Sequence, residues 1–332
     1  MSGCSFYTVA DSAYFPGAVA LVNSLRLSGN EDPVVVLDCG LTPEQRSRLA
    51  GEAELLPAPS GAHPMFVKWL ALLEHPAEVM VLLDADMLVV RSLAPLVEVA
   101  AGGKVVAFAD LNPARFQEEW AELVGRDVER RTYVNSGFIA VSERDGHDVL
   151  ARLHDAQQRI SREPFVGSDG TIRRPFKYPD QDVLNAVLGA YVRSEEMAVL
   201  ERRLAPSQPF AGLRLRDTKT LDCRYPDGSQ PYLLHHLYAK PWLAWTPTNP
   251  YTRLLPRLLV ADDLPIRLRP EEVPFRLRAG LLPEAVRDAL VVPRVANAAR
   301  FKARLELKRG WARASGRATS RHSDRRGVGG AP

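Results

Sequence analysis

Cysteine is scarce in this chain, and the three present exclude two classes of protein at once. Cys4, Cys39 and Cys223 are widely separated, with no short spacing between them. They suit neither a disulfide framework nor a zinc-binding cysteine cluster, and they fit a reducing cytosol. Long apolar runs are missing as well. No stretch approaches the ~20 residues needed to span a bilayer. The N-terminus has no basic stretch followed by an apolar core. Ser5-Phe6-Tyr7-Thr8-Val9-Ala10 is short and β-prone, so it reads as a first strand and not as a signal peptide. The expectation is a soluble, cytoplasmic protein, at most peripheral on the inner membrane face. Internal repeats are absent, and the net charge is only +3.

What remains is ordinary globular composition. With 332 residues, 46% of them hydrophobic and 25% charged, the chain can bury a large core in one big domain or two smaller ones. Its first half alternates. Phe6–Ala10, Pro33–Asp38, Val79–Asp84 and Val105–Ala109 read as buried strands. Ala18–Leu27 and Phe66–Leu73 have helical spacing. Thr42-Pro43-Glu44-Gln45 reads as an N-cap with proline at the first helical position, opening a helix to Leu49. This order predicts an α/β fold with a mostly parallel, doubly wound sheet and helices on both faces. Ligands of such sheets lie beyond the carboxyl ends of the strands. Asp11, Asp84, Asp86 and Asp110 all fall there. Further on, Tyr133–Ser142 reads as a strand, and Asp148–Ile160 and Asp180–Leu188 as helices. Leu233–Trp242 reads as irregular and aromatic, and Asn249–Pro293 as Pro- and Leu-rich with short helices at most.

Three segments carry chemistry. In Val79-Met80-Val81-Leu82-Leu83-Asp84-Ala85-Asp86-Met87 an apolar run ends in two carboxylates at i and i+2. On an extended strand that spacing aims both at one face, where they suit a divalent cation and, through it, a phosphate. The plain alternative is a polar strand exit. Haloacid-dehalogenase phosphatases also begin with Asp-x-Asp, but their downstream lysine and acid pair have no convincing match here. In Tyr178-Pro179-Asp180-Gln181-Asp182-Val183-Leu184-Asn185, Asp180 can cap a helix, and the acids complement its dipole. Capping does not require Gln181, whose amide at a helix start could face a reacting sugar. In Leu234-His235-His236-Leu237-Tyr238-Ala239-Lys240-Pro241-Trp242, one of two adjacent histidines could ligate a metal. Lys240, on a rigid aromatic turn, suits a diphosphate.

Taken together and in order, these elements resemble the nucleotide-sugar glycosyltransferases of family 8 and the glycogenin-like group. Thr8-Val9-Ala10-Asp11 with Tyr14, Asp84-Ala85-Asp86, Asn135-Ser136-Gly137, Asp180–Asn185 and His235/His236 with Lys240-Pro241-Trp242 match over about residues 5–245. The resemblance implies a GT-A, Rossmann-like fold. It also implies transfer of a hexose from a nucleotide diphosphate sugar, most often UDP-linked, with Mn²⁺ or Mg²⁺ and with retention at the anomeric centre. UDP-glucose and UDP-galactose are the expected donors. By resemblance, Thr8, Ala10, Asp11 and Tyr14 lie by the base and ribose, with Tyr14 stacking on the base. Asp84 touches ribose and metal, and Asp86 ligates the metal. Lys68 stands where the family has an arginine that steadies the diphosphate and a neighbouring acid. Asp110, Asn135 and Ser136 read sugar hydroxyls, with Gly137 and Trp242 in the same donor-binding motifs. Gln181 and Asp182 sit by the anomeric carbon, and Lys240 holds the departing diphosphate. The family's last motif runs His-x-x-Gly-x-x-Lys-Pro-Trp. Here the glycine is missing and the spacing is shorter, which leaves both His235 and His236 open as third ligand. His235 has the spacing to Lys240 closer to the pattern.

The domain reading is a catalytic domain over residues 1–248, then a Pro/Leu-rich segment with a basic amphipathic helix over 249–313, and a disordered basic tail over 314–332. Arg300-Phe301-Lys302-Ala303-Arg304-Leu305-Glu306-Leu307-Lys308-Arg309-Gly310-Trp311 reads first as a solvated cationic tail. The functional alternative is docking on an anionic membrane surface, at about 1 kcal/mol per basic residue. No nucleic-acid motif accompanies the charge, so no nucleic-acid partner is expected. The acceptor is not specified by any motif. Its contacts are expected from Asn112–Arg131, Gly167–Lys177 and the residues from Pro206 onward. Two other functions share part of the pattern. A nucleotidyltransferase making sugar nucleotides would want a Gly-rich basic loop after the first strand, which Ala10–Gly17 lacks. A non-catalytic nucleotide-sugar-binding, membrane-associated protein would keep the site without turnover.

Overall fold

Strands that are apolar on both faces dominate the computed structural model, which describes residues 3–160, 165–166, 172–173, 175–244, 246–274 and 277. In chain order the first elements are β1 (Cys4–Ala10), α1 (Phe15–Leu27), β2 (Val34–Asp38), α2 (Pro43–Leu49) and β3 (Glu54–Pro57). The short helices α3 (Pro64–Val67) and α4 (Leu70–Glu74) lead into β4 (Val79–Leu83) and β5 (Met87–Val89). Then come α5 (Ala94–Ala101), β6 (Val105–Ala109), α6 (Trp120–Val124), β7 (Val134–Ser142) and α7 (Glu143–Arg159). Two-residue strands β8 (Phe165–Val166) and β9 (Ile172–Arg173) precede α8 (Pro179–Tyr191) and β10 (Met197–Leu200). The hairpin β11 (Arg214–Asp217) and β12 (Asp222–Arg224), then β13 (Leu233–His235) and α9 (Pro250–Val260), complete the series.

Seven strands form one sheet in the order β10-β6-β7-β4-β1-β2-β3. All neighbours are parallel except β7, which runs antiparallel to both β4 and β6. Strand alternation divides the core into two layers. Phe6, Val34, Val36, Val79, Val81 and Leu83 pack on one face with α1, α5 and α9. Tyr7, Val35, Leu37, Met80 and Leu82 pack on the other with α4, α7 and α8. Each such side chain contributes roughly 1.5–3 kcal/mol by burial, which is why these strands read as continuous apolar runs. The mostly parallel sheet flanked by helices is the fold class expected.

Some boundaries differ from the expectation. The helix anticipated over Phe66–Leu73 is two short helices, with Lys68 and Trp69 at the junction. Helix α7 begins at Glu143 because Ser142 caps it, accepting from Asp145 N at 3.1 Å. Helix α2 has the expected Thr42 cap, with Gln45 returning a bond to Thr42 N.

Packing continues past residue 248, the expected end of the catalytic domain. The compact unit runs over Met1–Arg278. The reason is α9, an eleven-residue helix whose Tyr251, Leu254, Leu255, Leu258 and Leu259 are buried. Asn23 of α1, itself buried, donates to Leu258 O and Ile266 O at 2.8 and 2.7 Å and accepts from Ile266 N. A proline-rich stretch thus completes the first core layer. The second unit, Ala279–Pro332, including the cationic Arg300–Trp311 segment, lies outside the described residues. Among the described residues no helix is long and apolar enough to cross a membrane.

Candidate functional site

Asp84 and Asp86 flank a turn and do not lie on an extended strand as their spacing suggested. β4 ends at Leu83, Met87 N bonds back to Asp84 O at 2.9 Å, and β5 then begins. The turn still brings both carboxylates to one place. β5 pairs antiparallel with β13, which sets Met87 opposite His235. The pairing delivers His235, from 149 positions downstream by number (235 − 86), beside Asp86. His235 Nε2 lies 3.1 Å from Asp86 Oδ1 and 4.0 Å from Asp84 Oδ2. Asp84, Asp86 and His235 offer three ligand atoms within 4.8 Å of one another.

The two histidines separate at the end of β13, where His235 is the last strand residue and His236 the first beyond it. His236 N donates to Asp86 O at 3.1 Å, but its ring turns away. Its Nδ1 meets Gln208 Nε2, and its ring packs on Tyr251 with centroids 4.9 Å apart. Burial, then the nearby Lys240 charge, push the His236 pKa down to about 4. His235 is therefore the histidine of the cluster.

The donor set fits a divalent cation. Asp86 Oδ1 is buried and lies 3.1 Å from His235 Nε2, with no other polar partner. Two ligand atoms of opposite kind that face each other at this distance can share a third body between them. Two carboxylates and one imidazole suit Mn²⁺ or Mg²⁺. Burial raises the Asp84 pKa, Lys68 opposes that, and Asp86 adds to it, with a net rise. Burial would also raise Asp86, but His235 and then Lys240 outweigh it and hold its carboxyl below the usual range.

Cations bracket the acids. Lys68 Nζ bonds Asp84 Oδ1 at 3.0 Å and Asp180 Oδ2 at 2.9 Å. Burial would lower its pKa, but Asp180 and then Asp84 hold it up. Lys240 Nζ pairs with Asp86 Oδ2 and donates to His236 O at 2.6 Å. Asp180 is not the helix cap that its position suggested. Tyr178 is the cap residue of α8, and its N–H bonds Asp182 Oδ2 at 2.9 Å. Asp180 is thereby left to accept from Lys68 and from Ser136 Oγ at 2.6 Å.

The sugar-reading candidates also come together. Asn135 Nδ2 donates to Asp110 Oδ2 at 3.1 Å and to Gln181 Oε1 at 2.9 Å. Gln181 Oε1 also accepts from Ser136 N at 3.2 Å. Gln181 Oε1 is thus held by two donors of the β7 segment.

Asp182 stands elsewhere. It is fully buried, and four donors saturate it: Arg115 Nε at 2.7 Å, Arg115 Nη2 at 2.8 Å, Tyr133 Oη at 2.6 Å and Tyr178 N. Asp182, expected beside the anomeric carbon, thus has both oxygens engaged within the protein and is a buried anchor. Arg115 was missed by sequence reasoning. It lies in a loop with no periodicity, and nothing local signals its partner.

A cleft of about 340 Å³ is lined by Val9, Asp11, Tyr14, Met65, Lys68, Asp84, Asp86 and Asp180, among others. Thr8 and Ala10 are not in its lining. They are buried on the α1 side of β1, because strand alternation turns Val9 to the cleft in their place. Tyr14 meets Trp242 edge to face at 5.9 Å, and burial, then Asp86, push its hydroxyl up to about 12. Trp242 is a buried buttress: its Nε1 donates to Ala13 O at 2.9 Å, and its ring lies 2.7 Å from a Cβ placed on Gly17. Gly137 serves packing as well. A Cβ there would lie 2.6 Å from His235 Cε1.

No protein-family model matches the chain. No curated protein matches it either. Among solved structures, it is similar to an active-site mutant of LgtC, with 19% identity, a TM-score of 0.54, and coverage of 80% of this chain and 98% of that one. It is also similar to the glycosyltransferase GlyE of Streptococcus pneumoniae TIGR4, with 15% identity, a TM-score of 0.53, and coverage of 78% of this chain and 61% of that one. Together with the sheet order and the Asp-x-Asp turn at the end of β4, these likenesses show that the chain has the GT-A glycosyltransferase fold.

Proposed function

We propose that this protein is a metal-dependent hexosyltransferase that uses a nucleoside diphosphate sugar as donor. UDP-glucose and UDP-galactose are the leading candidates. The observation that carries the reading is one arrangement: Asp84 and Asp86 line a cleft with Lys68 and Asp180, and His235 and Lys240 reach Asp86 from behind it. A divalent ion held there supplies Lewis-acid stabilisation of the diphosphate.

The chain's own residues divide the remaining work. Tyr14 and Asp11, at the mouth of β1, meet the nucleoside. Asp110, Asn135 and Ser136 read the sugar hydroxyls, and Gln181 donates its amide N–H beside the anomeric carbon. Breaking the bond from anomeric carbon to phosphate builds negative charge on the leaving diphosphate. Lys240 is the fixed cation for that charge, and losing one such group typically costs ~3 kcal/mol of barrier. Lys68 favours the ionised form of Asp84 against burial and fixes its direction. Asp182 holds the first turn of α8 through Arg115 and Tyr133, and so positions Gln181. Retention follows from the family resemblance and not from the geometry.

The test is a panel of nucleotide sugars incubated with the protein and Mn²⁺, with released nucleotide measured. A hexosyltransferase releases nucleoside diphosphate slowly by hydrolysis even without acceptor. A nucleotidyltransferase instead exchanges pyrophosphate, and a binding protein releases nothing. No diphosphate release with any donor would overturn the proposal.

A further inference from the structure

Lys240 bonds Asp86 Oδ2, the carboxylate that faces His235 through its other oxygen. Its ammonium is buried and has few places to go: a second donor is fixed on His236 O at 2.6 Å, and the Tyr14 ring centroid lies 5.9 Å away. Asp86 therefore already has a cation. Two cations on one buried carboxylate repel each other strongly, because little water screens them. A diphosphate beside the site offers Lys240 another anion. The Lys240-Pro241-Trp242 turn is tied to the loop before α1 by Trp242 Nε1 on Ala13 O, so a transfer of the ammonium uses the rotations of the lysine side chain itself.

We infer that Lys240 is an exchangeable cation: it occupies Asp86 when metal is absent and passes to the diphosphate when metal and nucleotide arrive together. The inference rests on the proposed metal and diphosphate site. It adds a property which that reading does not contain. Metal alone binds weakly because it must displace Lys240, and nucleotide strengthens metal binding by giving Lys240 a new partner. Such coupling is reciprocal. The site is thereby protected from filling with metal in the absence of donor.

The test is Mn²⁺ binding to the full chain, read from the free-ion electron paramagnetic resonance signal, with and without UDP. Lys240→Met removes the competing cation and is expected to bind Mn²⁺ alone about tenfold tighter than the parent. The strengthening of Mn²⁺ binding by UDP is expected to shrink in the same variant. Lys240→Gln, which keeps a donor for His236 O, should behave likewise, and it serves if the methionine variant does not fold. Lys240→Arg, which keeps the charge, should not tighten Mn²⁺ binding. If the Met or Gln variant binds Mn²⁺ no tighter than the parent, while Asp86→Asn removes binding in all, the exchange is overturned and the metal site stands. If no protein binds Mn²⁺ in an Asp86-dependent way, the metal site falls and the exchange falls with it.

Discussion

The imidazole of His235 packs directly over Gly137, so that a Cβ built on the glycine would stand 2.6 Å from His235 Cε1. The glycine of the Asn135-Ser136-Gly137 strand thus makes room for His235, the histidine proposed as third metal ligand, and for Met87 Cε, which would stand closer still to the same Cβ. Gly137→Ala should push the ring aside and weaken Mn²⁺ binding at least about tenfold. Its overpacking cost of about 1–3 kcal/mol should leave the protein folded. Mn²⁺ titration beside a thermal melt checks both. Unchanged affinity in a folded variant would mean that His235 is not a ligand.

Gly17 makes room in the same way for the turn that carries Asp84 and Asp86, the other two proposed ligands. A Cβ there would collide with the carbonyl oxygen of Ala85, which lies between Asp84 and Asp86, and would press on the Trp242 ring. Gly17→Ala is expected to impair metal and UDP binding together, since it disturbs the acidic turn and the Tyr14–Trp242 wall at once. Calorimetry with each ligand separately reads this. Loss of neither would show that the turn can shift without consequence.

Lys68 joins Asp84 to Asp180 across the cleft. Lys68→Met leaves two partly buried carboxylates without their cation and is expected to lower turnover roughly a hundredfold, equivalent to about 2.7 kcal/mol. Lys68→Arg keeps the charge and should stay within about tenfold of the parent. Equal losses in both variants would show that the side chain's length matters and its charge does not.

Much of this was legible beforehand. Strands β1, β2, β4, β6 and β7 announce themselves because both faces are buried, and the Thr42 cap and Asp-x-Asp turn are local signals. What was not legible depends on contacts between distant residues. Thr8 and Ala10 fit a motif, but the phase of β1 decides that Val9 reaches the cleft. The choice of His235 over His236 follows from the register of β13 on β5, and no spacing rule encodes that register. Helix α9 hides in proline-rich sequence because Pro250 and Pro256 look like breakers, while its leucines face α1's layer. Arg115 became visible only through its bidentate hold on Asp182.

That ion pair makes its own prediction. Asp182 is fully buried, and Arg115 is nearly so. Removing either partner strands a buried charge, so Asp182→Asn and Arg115→Met should each cost roughly 3 kcal/mol of stability. The double variant should lose far less than the sum, because neither charge is then left alone. Denaturant unfolding of the four proteins forms the cycle. Simple additivity would show that the two side chains act independently.

Metal binding should depend on pH in a stated direction. Burial and Asp86 hold the Asp84 carboxyl above its ordinary range despite Lys68. The protonated acid cannot ligate, so protons compete with metal. Mn²⁺ affinity should rise as pH rises through that raised value and fall below it. Asp84→Asn should flatten the dependence as well as weaken binding. A parent protein with equal affinity on both sides of the acidic range would contradict the Asp84 assignment.

The most direct test is the conservative change Asp86→Asn, assayed for Mn²⁺-dependent release of nucleoside diphosphate from the best donor of the nucleotide-sugar panel. Asparagine preserves size and most of the packing around Asp86 while removing the charge that the proposed metal site requires. The account predicts a folded protein with no metal-dependent release. Release at the parent rate would contradict it.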